Sequence, residues 1–491
     1  MENLKQFYQR RFDNEIVFHK IFGQQSFIYA EKYNFYIHIL IILVFSLLIK
    51  IFLLSKSGAI YDGDSGEYIE VIKNILNGYG FSRIDIVDGQ MKPYSNRPPL
   101  FFYASSLFYK ILNGKLENDI IVLNFLSSIL TLLLWFYITY LITENKKITI
   151  ITGWLLSINP NLIYNSLTIM SDTFYLLTFS LFVLFFILFI KKKNKYLFFI
   201  SGISMGISVL TRTVLKAFWI FGIIFIILVL KDEIKKKIKY SLLFLAEHLL
   251  IVLPYHIRNQ LKFMSPSIDF HQGTNISCLI LPLIDKTNYD SLIKEYPMTY
   301  KIIELSKHHE DGPPENVIKL TLKLNNIELS RYLTLITLYT IKENPLQYLK
   351  LYIKNAINIT TSSSSYLLVI DIFKNGFYDK QHKIFKEFIL DKTKKDLKEI
   401  LIILPNLFFR FINLIIFLYF ICGIFLTYKN ELNNKEITIF ITILFLYTLS
   451  VSSLVVGYDR YRLPLEPLII MYFIYKLFNT KFNFLNRNGT N

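Results

Sequence analysis

Residues 176–190 read Leu-Leu-Thr-Phe-Ser-Leu-Phe-Val-Leu-Phe-Phe-Ile-Leu-Phe-Ile, an apolar run that only two hydroxyl side chains interrupt. A second run of this kind covers residues 218–230. Apolar stretches of about 20 residues are typical of transmembrane helices. The chain has 491 residues, of which 53% are hydrophobic and 19% are charged, whereas a soluble domain has about 25% charged residues. The composition therefore excludes a soluble enzyme, a disordered chain and a disulfide-stapled secreted domain.

The spacing of the apolar runs predicts an all-α polytopic membrane protein with about ten transmembrane helices. Two long segments between the spans are expected on the outer side and carry helices that lie along the membrane surface. The expected spans are residues 36–55, 119–142, 147–165, 171–190, 196–211, 214–230, 239–255, 401–427, 436–456 and 464–478.

Lysine clusters predict the orientation of these spans. They occur at Lys146-Lys147, at residues 191–195 and at residues 231–239, all on one side if the N-terminus is cytoplasmic. The first apolar run is too long for a signal peptide, so we expect an uncleaved anchor in the cell membrane. The net charge of +17 then indicates contact with anionic lipid rather than nucleic acid.

The predicted topology divides the chain into five parts. Both termini are cytoplasmic, and the bulk outside the membrane indicates chemistry at the outer surface. The parts are a cytoplasmic segment 1–35, a transmembrane core 36–255 with its first outer loop 56–118, an outer region 256–400, C-terminal transmembrane helices 401–478 and a cytoplasmic tail 479–491.

The first outer loop contains the sequence Asp64-Ser-Gly-Glu67-Tyr68, followed by isoleucines at helical spacing. This pattern predicts a short amphipathic helix that Gly78 ends. Asp64 and Glu67 have the spacing of a capping box, in which each side chain binds the other residue's backbone amide. A carboxylate placed in this way is also a well-positioned base, so both interpretations stay open.

Arginine is distributed unevenly along the chain. The 54 basic residues include only eleven arginines, and five of these fall at the predicted outer ends of spans. Guanidinium binds phosphate through two parallel hydrogen bonds and keeps its charge in poorly hydrated sites. The pattern predicts a phosphate-binding cluster at the outer leaflet, with general contact to lipid headgroups as the alternative. The five residues are Arg97, Arg212, Arg258, Arg460 and Arg462.

Read in order, these segments resemble the polyprenyl-phosphate-sugar-dependent glycosyltransferases of the GT-C superfamily. They are most similar to glycosyltransferase family 39, with its protein O-mannosyltransferases and lipid A aminoarabinose transferases. Many relatives have Asp-Glu where this chain has Asp64-Ser65, and Glu where Asp172 stands. These departures leave the sugar, the acceptor and any metal requirement open. The matching stretches are residues 64–68, 77–81, 97–100, 159–160, 171–172, 202–212, 254–259, 344–348 and 460–467.

The resemblance implies inverting transfer of a sugar from a polyprenyl-phosphate donor to a lipid, glycan or protein acceptor outside the cytoplasm. Asp64 would be the general base. Arginines would neutralise the leaving phosphate, with Arg258 and Arg460 expected first and Arg97 and Arg462 after them. Three further residues are candidates for substrate contact: Tyr68 and Tyr461 for the sugar, and Asp172 as a polar contact or an interhelical hydrogen bond.

No cofactor is expected, and a divalent metal is left open. The cluster His308-His309-Glu310-Asp311 has metal-capable atoms, but adjacent histidines on a polar loop are more often solvated. The pair Glu247-His248 falls inside a predicted span, where it is either functional or a buried hydrogen-bonded pair.

Three other functions remain compatible with the sequence. A transporter or flippase of a lipid-linked sugar would also bind phosphate and prenyl chains, but it would not need Asp64 as a base. A ligase or polymerase would use a lipid diphosphate donor instead of a monophosphate. A scaffold subunit of a cell-envelope complex would tolerate replacement of single arginines.

Overall fold

The computed structural model describes residues 34–307, 314–362, 407–421, 435–455 and 459–487. Most of these residues are helical, which confirms the predicted helical character. The helices are α1 (Asn34–Ser57), α2 (Ser65–Leu76), α3 (Leu100–Leu112), α4 (Leu116–Thr143), α5 (Lys146–Ser157), α6 (Pro160–Leu167), α7 (Asp172–Lys192), α8 (Lys195–Thr211), α9 (Phe218–Leu228), α10 (Ile234–Phe263), α11 (Gln272–Ser277), α12 (Leu281–Ile284), α13 (Asp290–Glu295), α14 (Met298–Ser306), α15 (Glu315–Leu322), α16 (Asn326–Glu343), α17 (Pro345–Thr361), α18 (Leu407–Ile421), α19 (Lys435–Ser452) and α20 (Glu466–Arg487).

Five of the described helices are long and apolar enough to cross a membrane: α1, α4, α7, α10 and α19. The predicted total of about ten spans and the two outer segments stay predictions. In α7, 78% of the apolar window is buried inside the protein, whereas in α1 the share is 17%. The α7 helix is therefore central, and α1 presents most of its apolar surface outward.

The sequence cluster His308-His309-Glu310-Asp311 lies outside the described residues.

The predicted span 147–165 is wrong as a single helix, because it breaks into α5 and α6. The Asn159 side chain accepts hydrogen bonds from the backbone amides of Asn161 at 3.0 Å and Leu162 at 3.1 Å. Pro160 occupies the first turn of α6, where its missing amide hydrogen costs nothing. A new helix therefore begins at Pro160, inside the stretch that was predicted to be one continuous span.

Among the described residues, a small β-hairpin departs from the all-α prediction. Strands β1 (Ser82–Ile84) and β2 (Met91–Pro93) pair antiparallel, with Arg83 opposite Lys92. In the turn between them, Gly89 has a φ of +71°, a left-handed conformation that glycine adopts at little cost. The strands are too short for an alternating apolar pattern to predict them.

Aromatic side chains fill the interior between α7 and its neighbours. Phe186 of α7 stacks on Phe440 of α19 at a ring-centroid distance of 4.2 Å. The same ring contacts Phe225 of α9 and Phe244 of α10 at 5.7 and 5.9 Å. Edge and stacked ring contacts add stability beyond the buried area. These phenylalanine rings thus join four helices to one another.

Residues 280–336 form a second apolar core, separate from that of the long helices. Its buried members are Ile280, Ile284, Tyr289, Leu292, Ile302, Ile303, Ile318, Leu324, Leu329, Leu333 and Ile336. These residues come from the short helices α12–α15, from α16 and from the turns that precede these helices. The described residues of α12–α16 therefore pack as a unit with its own interior.

A buried ion pair joins distant parts of the chain. Arg462 is 3% exposed, and its guanidinium lies 2.7 Å from the carboxylate of Glu466. It also donates to the backbone carbonyls of Ile359 and Thr360 at 3.1 and 2.6 Å. On the other side, Asn161 donates to Glu466 at 3.2 Å. The network ties the C-terminal end of α17 to α6 and to the start of α20.

Replacement of Arg462 by methionine is expected to destabilise the protein by about 3–5 kcal/mol, because it leaves Glu466 as a buried unpaired charge. The measurement is the midpoint of thermal unfolding of the purified protein in detergent. Arg331→Met, which removes a surface arginine from α16, is the matched control. An unfolding midpoint for Arg462→Met equal to that of this control would contradict the structural role.

Candidate functional site

The turn that carries Asp64 is attached to the segment between α6 and α7. The backbone amide of Ile60 donates to Leu167 O at 2.9 Å, and Ile169 N donates to Ile60 O at 3.0 Å. The Ser65 hydroxyl accepts from Asp62 N at 2.9 Å and donates to Ile169 O at 3.1 Å. These bonds fix the first turn of α2 and thereby the position of Asp64.

The predicted capping box is wrong, although Asp64 does stand at the N-cap of α2. Its side chain makes no capping hydrogen bond. Glu67 instead accepts from Arg97 Nε at 3.0 Å and from Arg83 at 2.7 Å. Charge-assisted bonds to guanidinium are stronger than bonds to a neutral amide, so the Glu67 carboxylate binds the two arginines and does not cap the helix.

Arg97 lies between two carboxylates. Its second terminal nitrogen is 2.9 Å from Asp64 Oδ1, while its Nε binds Glu67. The guanidinium also lies over the ring of Tyr68, 5.4 Å from the centroid. The next two residues are prolines that lead into α3, which restricts the backbone at this position.

Arg460 reaches the same carboxylate from the C-terminal part of the chain. One of its terminal nitrogens is 3.6 Å from Asp64 Oδ2, and the other lies 3.0 Å from Asp62 Oδ2. Its guanidinium lies over the ring of Tyr461 at 5.2 Å. The two oxygens of Asp64 therefore face two different guanidiniums from segments 363 residues apart in sequence.

Arg212 is a third cation at this site, positioned by Asp172. Its terminal nitrogen lies 2.5 Å from the buried carboxylate of Asp172, and its guanidinium is 5.9 Å from the ring of Tyr461. The residue before Asp172, Ser171, forms a 2.9 Å hydrogen bond with the hydroxyl of Tyr68. Asp172 thus contacts the site through Arg212.

Asp64 and the three guanidiniums of Arg97, Arg212 and Arg460 line a cavity of about 250 Å³, which we call the arginine cleft. Its polar wall is dominated by cations, and Val451, Leu454 and Val455 form an apolar wall. The charged and aromatic lining residues are Asp64, Tyr68, Arg97, Arg212, Lys216, Asp269, His271, Arg460 and Tyr461. Such a concave, cationic and partly apolar cavity suits an anion attached to an apolar chain.

A second cleft of about 720 Å³ opens on the other side of Asp64. It shares Asp64 and His271 with the arginine cleft. Two glycines, Gly63 and Gly66, form part of its wall, and the space next to each is open. Asp64 is thus accessible from two cavities of different character.

The arginines decide the protonation state of Asp64. Burial by itself raises the pKa of this carboxyl, but the guanidiniums of Arg97 and Arg460 lower it, and the net pKa is about 2. His271 and Arg212 add smaller effects in the same direction. The side chain is therefore an anion at neutral pH and accepts a proton only weakly while both arginines remain in place.

Two predicted arginines do not reach the arginine cleft. Arg258 donates to the carbonyl oxygens of Tyr94 at 2.9 Å and Phe81 at 3.3 Å, the residues that flank the β-hairpin. Arg462 is occupied in the buried network with Glu466. Neither side chain lines the cavity at Asp64, because backbone carbonyls and a buried carboxylate bind them elsewhere, and their contact with the donor phosphate stays a prediction. Arg258 positions the hairpin, and Arg462 positions the segment that carries Arg460.

The sequence did not single out Glu67, Lys216 or His271 as site residues, and it gave Arg212 no individual role. The placement of five arginines at the predicted outer ends of spans was the sequence feature that pointed to Arg212. His271, whose ring lies 3.4 Å from Glu315, belongs to an irregular segment that has no periodic pattern.

Among the residues that the structure describes, no group of three or more His, Cys, Asp or Glu side chains is placed to hold a metal ion.

Comparison with known proteins gives one sequence match and several structural similarities. Residues 96–257, which contain Arg97, Asp172 and Arg212, match the model of the family described as dolichyl-phosphate-mannose-protein mannosyltransferase. No curated protein matches the chain significantly.

Among solved structures, the chain is similar to the Archaeoglobus fulgidus oligosaccharyltransferase tethered with an acceptor peptide, with 14% identity, a TM-score of 0.49 and coverage of 90% of this chain and 49% of that chain. It is also similar to ArnT from Cupriavidus metallidurans bound to undecaprenyl phosphate, with 11% identity, a TM-score of 0.38 and coverage of 87% and 77%. The chain spans about half the length of the archaeal oligosaccharyltransferase. The resemblance predicted from the motifs is confirmed over residues 96–257, which match this family model.

Proposed function

We propose that this protein is a membrane glycosyltransferase that moves a sugar from a polyprenyl-phosphate-linked donor to an acceptor on the outer side of the membrane. The observation that carries the proposal is the Asp64 carboxylate, which faces two guanidiniums at the junction of two clefts. The match of residues 96–257 to a glycosyltransferase family supports the transferase class.

The donor phosphate binds in the arginine cleft. Arg97, Arg212 and Arg460 supply guanidiniums that suit phosphate geometry, and Lys216 adds a fourth positive charge. The apolar wall formed by Val451, Leu454 and Val455 would receive the first units of the prenyl chain. Tyr68 and Tyr461 line the same cavity and are proposed to contact the sugar.

Donor binding makes Asp64 a stronger base. Without donor, Asp62 and Asp64 share the guanidinium of Arg460. A phosphate competes for that guanidinium with charge-assisted bonds of the same kind. As Arg460 turns to the phosphate, Asp64 loses a cationic partner and gains a nearby anion, so its affinity for a proton rises.

The transfer is a single displacement. The acceptor hydroxyl enters from the second cleft, its oxygen attacks the anomeric carbon, and its proton passes to Asp64. The bond between the anomeric carbon and the phosphate oxygen breaks, and its electron pair leaves on the polyprenyl phosphate. The arginines neutralise the charge that develops there.

The arrangement of carboxylates favours inversion. Retention by double displacement needs a second carboxylate as nucleophile. Three neighbouring acidic side chains are paired with arginines: Asp62 with Arg460, Glu67 with Arg83 and Arg97, and Asp172 with Arg212. Asp64 lines both clefts and is the proposed single base, so the product of the displacement has the opposite anomeric configuration to the donor.

The proposal retains the predicted topology. Segments 56–118 and 256–400 are assigned to the outer side, and 1–35 and 479–491 to the cytoplasm. The ranges 36–255 and 401–478 then contain the membrane-spanning core. The acceptor, whether glycan, lipid or protein, meets the chain outside the cytoplasm.

Asp64→Asn is expected to reduce sugar transfer by a factor of about 10²–10⁴, because it removes the base and keeps the shape of the side chain. Donor binding should persist, since the arginines remain. The measurement is transfer of radiolabelled sugar from a polyprenyl-phosphate donor by protein reconstituted in liposomes. Asp290→Asn, an exposed aspartate at the start of α13, is the matched control.

Unchanged transfer in Asp64→Asn would defeat the enzymatic proposal. If lipid-linked sugar crosses the liposome membrane equally well in both variants and no transfer occurs, the protein is a flippase. Activity with a lipid diphosphate donor and none with the monophosphate would identify a ligase or polymerase.

The pH dependence of transfer follows from the depressed pKa of Asp64. In the wild type, kcat/KM reports the free protein, so its acid limb should approach the Asp64 pKa of about 2. Arg460→Gln removes one of the two main cations, and the limb should move up toward the ordinary aspartate value of about 3.9. The acid limb of kcat, which reports the donor complex, should also lie higher than that of kcat/KM.

Lys216→Gln is the matched control for this profile. Lys216 lines the same cleft, but the main charges that lower the pKa of Asp64 are those of Arg97 and Arg460. It should weaken donor binding without moving the acid limb. If the acid limb of kcat/KM shifts equally in Arg460→Gln and Lys216→Gln, the limb does not report the Arg460–Asp64 interaction.

A further inference from the structure

The second cleft continues into a third cavity along the β-hairpin. This hairpin cleft has a volume of about 450 Å³ and lies between the hairpin, the end of α10 and the start of α16. It shares Arg83, Asn316 and Lys319 with the second cleft. From Asp64 outward, the two cavities therefore form one groove, and each has the size of a small-molecule site, about 300–1,000 Å³.

Most charges along this groove compensate one another. Arg83 pairs with Glu67 and Glu70 at 2.7 and 2.9 Å. Lys319 lies 3.5 Å from Glu315. The groove therefore exposes charged hydrogen-bond donors and acceptors, but their positive and negative charges largely cancel and leave a weak net electric field. A polyanion or a strongly cationic peptide would find little electrostatic attraction here.

The outer part of the groove adds amide side chains. Asn316, Asn325 and Asn326 line the hairpin cleft. Each amide can donate and accept hydrogen bonds, as a sugar hydroxyl does. Within the described part of the chain, the side chains of Asn316 and Asn326 make no hydrogen bond to protein, so their amides are available to a ligand. Phe263 and Met264 provide apolar surface beside them.

We propose that this groove is an extended acceptor site for a neutral saccharide chain, with the accepting sugar at Asp64 and further units along the β-hairpin. The inference rests on the proposed transferase function and names its acceptor class. A neutral chain of hydroxyl groups matches mixed donors and acceptors that carry little net charge. Two cavities in series provide room for more than one sugar unit.

The test is equilibrium binding of neutral envelope glycan to the full-length protein in nanodiscs. The glycan is released from cells that lack this protein and fractionated by chain length. We expect chains of several units to bind about tenfold more tightly than single units, the gain that one or two additional hydrogen bonds provide. The double variant Asn316→Ala/Asn326→Ala should lose this gain, so that long chains and single units bind to it with similar affinity.

The double variant Gln347→Ala/Lys350→Ala, on the exposed surface of α17 outside all three cavities, is the matched control. Thermal unfolding and binding of polyprenyl phosphate verify that both variants are folded. Affinity that does not depend on chain length would overturn the proposal. Preferential binding of a pool of Ser/Thr-rich peptides, lost in the first double variant, would assign the groove to protein acceptors and would also overturn it.

The outcome is separable from that of the proposed function. If length-dependent glycan binding is present but Asp64→Asn transfers sugar normally, the groove assignment stands and the catalytic proposal fails. If Asp64→Asn is inactive but binding is independent of chain length, the transferase proposal stands and the saccharide groove fails.

Discussion

The position of Arg97 between Asp64 and Glu67 is the interaction on which the site depends. Its side chain is 15% exposed and that of Glu67 is 12% exposed, so water screens their charges poorly. A guanidinium in such a place needs carboxylate partners. Glu67 also binds Arg83 of the hairpin, so one network joins α2, the hairpin and the turn before α3. The same network holds Asp64 deprotonated and fixes the wall between the two clefts.

The five arginines at the predicted outer ends have different roles, and their partners explain the division. Arg97, Arg212 and Arg460 contact carboxylates at the cleft and keep nitrogens directed toward it. Arg258 and Arg462 bind backbone carbonyls of neighbouring segments and thereby stabilise the loops that form the site. Guanidinium serves both purposes because its five donors can satisfy several acceptors at once.

The two clefts at Asp64 give the proposed reaction its direction. The cationic cavity with an apolar wall fits a lipid-linked phosphate, and the larger cavity with compensated charges fits a hydroxyl-bearing acceptor. A carboxylate between them can receive a proton from one side while charge develops on the other. The ion pairs of the free protein keep this carboxylate weakly basic, and in the proposed mechanism a donor phosphate replaces it at one guanidinium.

The sequence by itself determined the helical membrane class, the uneven use of arginine and the motif at Asp64, because hydrophobicity and residue type act locally along the chain. It also led to the glycosyltransferase family, through motifs that the family match supports over residues 96–257. Only the tertiary structure decided that Glu67 is an ion-pair partner instead of a cap and that Arg258 and Arg462 lie elsewhere. It also brought His271 beside Asp64 and placed a hairpin at Glu67. These outcomes depend on contacts between segments hundreds of residues apart, where competition among charged partners, and not local spacing, selects the lowest free energy.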